Sequence, residues 1–157
     1  MKTLISYYSR TGHAEAMAKA VAEGVEEEGI SPEVKTIEET TIEDLLKADC
    51  IVMGCPTYYG SMPWEVKKLI DRSVRYHGKL RGKVGAAFST SANVGGGNET
   101  TILSIIRAML THGMIVQGNP DFDHYGPVAI EKPTSKDLEK CRLLGKRVAS
   151  LGKKLHD

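Results

Sequence analysis

Three short stretches concentrate the side chains able to do chemistry. The segment 9–13, Ser9-Arg10-Thr11-Gly12-His13, sets two hydroxyls and a guanidinium beside a glycine, after an apolar run and before a helical stripe. Unpaired backbone N–H groups converge at such a helix start, so the loop suits a phosphate dianion. The helix end alone favours an anion by about 0.3–2 kcal/mol, before the charge-assisted bonds that Arg10 and the hydroxyls add. The same residues also read as an ordinary N-cap by Ser9 or Thr11. A second stretch, 56–62 (PTYYGSM), carries two adjacent aromatic rings, and a third, 90–98 (TSANVGGGN), is rich in hydroxyls and glycine.

Other phosphate and nucleophile chemistries lack their residues. No GxxxxGK[ST] occurs, and the only glycine cluster, Gly95-Gly96-Gly97, follows the fourth predicted strand, so neither a nucleotide P-loop nor a dinucleotide fingerprint is present. Cys55 is followed six positions later by Ser61, where a Cys-x5-Arg phosphatase needs arginine. The first strand has no acidic pair to hold magnesium beside an aspartyl phosphate. Cys50, Cys55 and Cys141 are too few and too scattered for a disulfide framework or a metal site, and Cys50 and Cys55 read as core.

The elements that must position the three loops follow from apolar spacing. KTLISYY (2–8) is a β-branched and aromatic run, a strand entering the first loop. Ala14, Met17, Ala18, Val21, Ala22 and Val25 recur at helical spacing until Gly29 stops them. A short strand at 32–37 and a brief helix at 41–47 precede DCIVMGC (49–55), a strand apolar on both faces. Pro63 starts a helix carrying Val66, Leu69, Ile70 and Val74, and KVGAAFS (83–89) is the fourth strand. A helix from Glu99 with Ile102, Ile105, Ile106 and Met109 ends at Gly113, before a short strand at 114–117. Segment 118–133 is mostly connection, with 128–130 able to pair as an edge strand. The last helix uses Leu138, Cys141, Leu144, Val148, Leu151 and Leu155. Strand and helix alternate five times, which predicts a doubly wound parallel sheet between two helical layers, with its ligand outside the carboxyl ends of the strands. The three loops fall at those ends.

Composition sets the remaining bounds. The 157 residues, 41% hydrophobic and 26% charged, suit one domain over 1–157 that removes roughly 70% of its extended surface from water. A net charge of +1 leaves no electrostatic footprint for nucleic acid. No run approaches the roughly 20 apolar residues of a membrane span, so membrane insertion is not expected and a reducing cytoplasm is the expected location.

With YYSRTGHAEAMAKAV, GCPTYYGSMPWEVKKLID, FSTSANVGGGNETTI, LTHGM and HYGP in this order, the chain resembles the flavodoxin-like superfamily, most closely WrbA-type NAD(P)H:quinone oxidoreductases. The resemblance runs nearly end to end. It implies an α/β three-layer sandwich with a five-stranded parallel sheet of order 2-1-3-4-5, one non-covalent FMN, NAD(P)H as donor, a quinone-type acceptor, and a homodimer or homotetramer. Carried over by position, Ser9, Arg10, Thr11, Gly12, His13 and Ala14 hold the FMN phosphate, and Pro56, Thr57, Tyr58, Tyr59 and Gly60 border the isoalloxazine ring. Thr90, Ser91, Ala92, Asn93 and Gly95 line its other side, in a loop one residue longer than the family's. His112 matches the family's flavin-site histidine and is the candidate catalytic residue; read from the residues alone it is a cation at a helix C-terminus. The family's nicotinamide-contacting tyrosine is Thr11 here, and its substrate-stacking tryptophan falls near Tyr76 or His77. Trp64 reads as a core or interface residue. One-electron carriage of the flavodoxin type and FMN binding without turnover stand as alternative functions.

Overall fold

The computed structural model describes residues 1–156. Strands β1 (Thr3–Tyr7), β2 (Glu33–Thr36), β3 (Cys50–Pro56), β4 (Val84–Ser91) and β5 (Ile115–Val116) form a parallel sheet in the order β2-β1-β3-β4-β5. A sixth strand, β6 (Val128–Ile130), also pairs with β4. Helices α1 (His13–Glu27) and α5 (Ser135–His156) cover one face; α2 (Ile42–Lys47), α3 (Trp64–Ser73) and α4 (Asn98–Thr111) pack on the other.

The two-residue period of the strands sorts their side chains between these layers. Ile5, Val52, Ala86 and Phe88 join Met17, Val21, Leu144 and Val148 in one core. Leu4, Ile51, Met53 and Ala87 join Leu45, Val66, Leu69, Ile102 and Ile105 in the other. Each fully buried large apolar side chain contributes about 1.5–3 kcal/mol, which is why a strand such as CIVMGCP stays in the middle of the sheet. Phe88 lies across the face of its β3 neighbour Gly54, where a Cβ would fall 1.9 Å from the ring.

The edge of the sheet departs from one continuous fifth strand. β5 pairs with Val84 and Gly85, the chain leaves, and β6 returns to pair with Ser89, Thr90 and Ser91. Pro120, with no N–H to donate, lies in the intervening excursion and cannot prolong the ladder. Because β6 supplies partners, β4 continues to Ser91 instead of ending at Ser89.

Two expected apolar positions face water. Val74 begins a 3-10 turn (Val74–Tyr76) after α3 and is 66% exposed. Leu155 is exposed near the end of α5. Among the described residues no helix is long and apolar enough to cross a membrane.

Candidate functional site

Loops 9–12, 57–63 and 92–97 leave the carboxyl ends of β1, β3 and β4, which are neighbours in the sheet. The first ends at Gly12, whose left-handed backbone (φ +87°) turns the chain into α1, and no side chain caps that helix. The Ser9 hydroxyl accepts the Gly12 N–H at 3.1 Å. Arg10 and Thr11 are exposed, their side chains without partners among the described residues. His13 is half-buried and Ala14 buried, as the first residues of the helix.

Two other helix starts, those of α2 and α5, are sealed by side chains, while α3 begins after Pro63 without a side-chain cap. At α2 the Thr41 hydroxyl accepts the Asp44 N–H while the Asp44 carboxylate accepts the Thr41 N–H. Thr134 and Asp137 make the same reciprocal pair at α5. α1 and α4, which open onto the loop cluster, follow Gly12 and Gly97 and have no side-chain cap. The donors of α1's first turn, with Arg10 and two hydroxyls beside them, therefore fit the phosphate of a bound nucleotide.

The second loop is a two-residue hairpin. Tyr58 and Ser61 exchange backbone hydrogen bonds (3.0 and 3.1 Å) around Tyr59 and Gly60, both left-handed (φ +50° and +74°). This type I′ geometry thrusts Tyr59 wholly into solvent. A left-handed backbone disfavours a tyrosine by about 1–3 kcal/mol, so the loop holds an exposed ring at a strained tip. Such a ring at the crevice mouth suits contact with a planar heterocycle.

Loops two and three are tied together. Thr57 donates its N–H to the Thr90 carbonyl (2.7 Å), and its Oγ1 lies 3.1 Å from Ser89 Oγ and 3.0 Å from Thr101 Oγ1. The Thr100 hydroxyl donates to the Gly60 carbonyl at 2.7 Å. Gly60 and Gly97 approach so closely that a Cβ at Gly97 would sit 2.6 Å from the Gly60 Cα. Thr90 and Ser91 are buried strand residues, and Ser91 accepts from the Asn98 amide at 3.0 Å. Ala92, Asn93 and Gly95 are exposed at the loop's surface. Pro56 and Thr57 are half-buried at the end of β3.

Tyr8 and Thr101 belong to this architecture although sequence reasoning passed over them. The Tyr8 ring meets Tyr58 edge-on, 6.3 Å between centroids. Burial, with the neighbouring Glu65 carboxylate, pushes the Tyr8 phenol up to about 12, so it remains a donor. Its signal was its place as the last residue of KTLISYY. Thr101 is buried one turn into α4, a hydroxyl interrupting an apolar stripe.

His112 is elsewhere within the protomer. α4 starts at the loop cluster and its 14 residues carry the chain about 21 Å toward the amino ends of the strands. His112 follows that helix, bonded through Nε2 to Ser73 Oγ at 2.7 Å and 6.0 Å from the His77 ring. The chain thus does not bring His112, Tyr76 or His77 to its own three loops. Trp64 is not a core residue: it is 66% exposed, because the sheet-facing stripe of α3 is Val66, Leu69 and Ser73. Cys50, Cys55 and Cys141 are buried free thiols, as strand and helix packing predicts.

The flavodoxin family profile matches residues 5–101. A flavodoxin of Aquifex aeolicus is 38% identical over 157 positions, covering 94% of this chain and 85% of its own. An NAD(P)H dehydrogenase (quinone) of Sinorhizobium fredii is 35% identical over 198 positions, covering 99% of each. Among solved structures, the flavodoxin, WrbA-like protein from Agrobacterium tumefaciens superposes with a TM-score of 0.84 at 30% identity over 98% of both chains.

Proposed function

Because the chain belongs to the flavodoxin family, we propose that it binds FMN at the three loops and transfers two electrons from NAD(P)H to a quinone-type acceptor. The observation that carries the reading is the uncapped start of α1 at Gly12, with Arg10 and Thr11 free beside it and the exposed Tyr59 on the neighbouring strand's loop. FMN, when bound, supplies the hydride and electron chemistry, and the protein supplies orientation and electrostatics.

Ser9, Arg10, Thr11, Gly12, His13 and Ala14 hold the phosphate by backbone N–H groups, hydroxyls and one guanidinium. Pro56, Thr57, Tyr58, Tyr59 and Gly60 border one side of the ring. Ala92, Asn93 and Gly95 border the other, with Thr90 and Ser91 behind them fixing the loop. Arg10 in the first loop and Lys68 on α3 bring positive charge toward the ring, Lys67 being paired with Asp71, and this favours an anionic reduced cofactor. His112 of one protomer reaches the ring of another only across an assembly, so a catalytic role for it goes with a homodimer or homotetramer.

The test is the visible spectrum of the purified protein, followed by steady-state oxidation of NADPH and NADH with benzoquinone. A flavin band with turnover supports the proposal. A flavin band without turnover from either donor leaves FMN binding alone.

One observation favours a second reading, a one-electron carrier. A flavodoxin of Clostridium saccharobutylicum aligns over 163 positions that cover 99% of both chains, whereas the alignment with the quinone dehydrogenase spans 198 against the 157 residues here. Reductive titration separates the two: a long-lived, long-wavelength one-electron form supports the carrier, and direct two-electron bleaching supports the oxidoreductase.

A further inference from the structure

Between residues 64 and 81 the chain carries six lysines and arginines against two carboxylates, although its overall balance is only +1. Much of that excess lines an open groove of about 900 Å³ along α3, floored by Ile42 and Met62. The cations there are unequally occupied. Lys67 is held by Asp71 at 2.6 Å. Lys68 stands 5.2 Å from the Trp64 ring centroid, a cation–π contact, and makes no salt bridge among the described residues. Arg72 and Arg75 pair with no carboxylate among the described residues. Trp64 and Tyr76, 66% and 41% exposed, stand in water at the two ends of the groove.

This groove lies beside the loop cluster, with Met62 of the second loop in its lining. A smaller hollow of about 350 Å³ shares Trp64, Lys68 and Arg72 with it and reaches Tyr8 at the end of β1, with Glu38 and Glu65 on its wall. α3 is 10 residues long, so the basic wall extends about 15 Å away from the candidate flavin site.

Charge and shape select the occupant. A second copy docked by a two-fold axis would press this basic wall against itself. The open groove has room for an extended small molecule laid along α3. Lys68, Arg72 and Arg75, three cations outside any salt bridge among the described residues, outnumber the two charges of a dinucleotide's pyrophosphate and leave one for a further phosphate. The exposed indole offers a stacking face for a purine.

We propose that the α3 groove receives the adenosine end of the dinucleotide donor and reads its 2′-phosphate, so that Arg72 and Arg75 confer preference for NADPH over NADH. The proposal rests on the reading above for the class of donor.

The test uses FMN-loaded wild-type protein and the R72A/R75A variant, both sites being exposed enough for substitution without loss of the core. Calorimetric titration with adenosine 2′,5′-bisphosphate and with ADP is expected to show wild type preferring the bisphosphate by about tenfold or more, and the variant losing that preference. In turnover, KM for NADPH is expected to rise about tenfold in the variant with kcat unchanged, while KM for NADH moves far less. Equal bisphosphate affinity in the two proteins overturns the groove assignment even if NADPH is oxidised. A variant that changes sedimentation but not nucleotide affinity also overturns it, and makes the face a contact between copies. If neither donor is oxidised yet the bisphosphate binds and the variant loses it, the nucleotide groove stands and the oxidoreductase reading falls.

Discussion

The Ser73 hydroxyl lies 2.7 Å from His112 Nε2 while its own proton goes to the Ile70 carbonyl at 2.6 Å. A hydroxyl has one proton, so Nε2 must be the donor in the histidine bond, and His112 Nδ1 is left as a bare acceptor, buried and without a partner. Leu45, Ile51, Leu80 and Met109 wall the small hollow beside it. A second proton on this ring would place a cation among those side chains.

Burial, with repulsion from His77, accordingly holds His112 below the ordinary histidine value. A group whose folded pKa is depressed binds more protons when unfolded, so its contribution to stability is full above the unfolded value of about 6.5 and is lost as pH falls through the folded one. We expect the urea midpoint to fall between about pH 7.5 and pH 5, and H112Q, which keeps a donor for Ser73, to flatten that fall. An unchanged acid slope in the variant would remove His112 as its source.

The crossing of α1 and α5 depends on two glycines. A Cβ at Gly145 would stand 2.1 Å from the Val21 carbonyl oxygen, and one at Gly24 would stand 2.0 Å from that of Arg142. Alanine gains at most about 1 kcal/mol of helix propensity over glycine, whereas forcing two packed backbones apart costs about 1–3 kcal/mol or more, so the clash decides the sign. G145A is expected to lower Tm by several degrees, at about 2–4 °C per kcal/mol for a chain of this size. A Tm at or above wild type in thermal unfolding would show that the helices separate freely.

At the candidate cofactor site, replacing Arg10 and Thr11 together by alanine removes a guanidinium and a hydroxyl that the fold leaves unpaired. FMN affinity is expected to weaken by more than about tenfold, with the far-ultraviolet spectrum and Tm of the apoprotein unchanged. Fluorescence quenching of free FMN on titration reads the affinity; equal dissociation constants would move the phosphate to another loop.

The thiols give a test of the core. Burial pushes Cys50 up to about 11, and Cys55 and Cys141 up to about 12. At pH 8 only about one thiol in a thousand to ten thousand is then ionised, and none is accessible. Native protein is expected to resist a thiol-disulfide reagent over minutes and to titrate fully in denaturant. Prompt reaction of one native thiol would mean that its element opens locally.

How much was legible in the chain varies with the kind of signal. The stripe from Ala14 to Val25 and the doubly apolar run CIVMGC foretold α1 and β3, because periodicity is a local property that burial then selects. Val74 was misplaced, and the core half of the reading of Trp64 fails, for a related reason: a helix of 10 residues turns only one narrow stripe to the sheet, and hydrophobic residues outside it remain in water. The split edge was half visible, as a possible strand at 128–130, but its pairing with Ser89 to Ser91 depends on a partner some 40 positions away in sequence.

Alone, the amino-acid order determined the alternation of strand and helix, the family, and the three loops that turn from strand into helix, since these rest on spacing, turn residues and motif. Tertiary structure decided what meets at each end of the sheet. It left α1 and α4 uncapped beside Tyr59 while carrying His112 along α4 to Ser73, and it opened a basic groove on α3 from residues that look merely charged in sequence. The physical reason is that every helix between parallel strands must run back across the sheet. Its two ends therefore lie in different environments, and only packing decides which side chains find partners there.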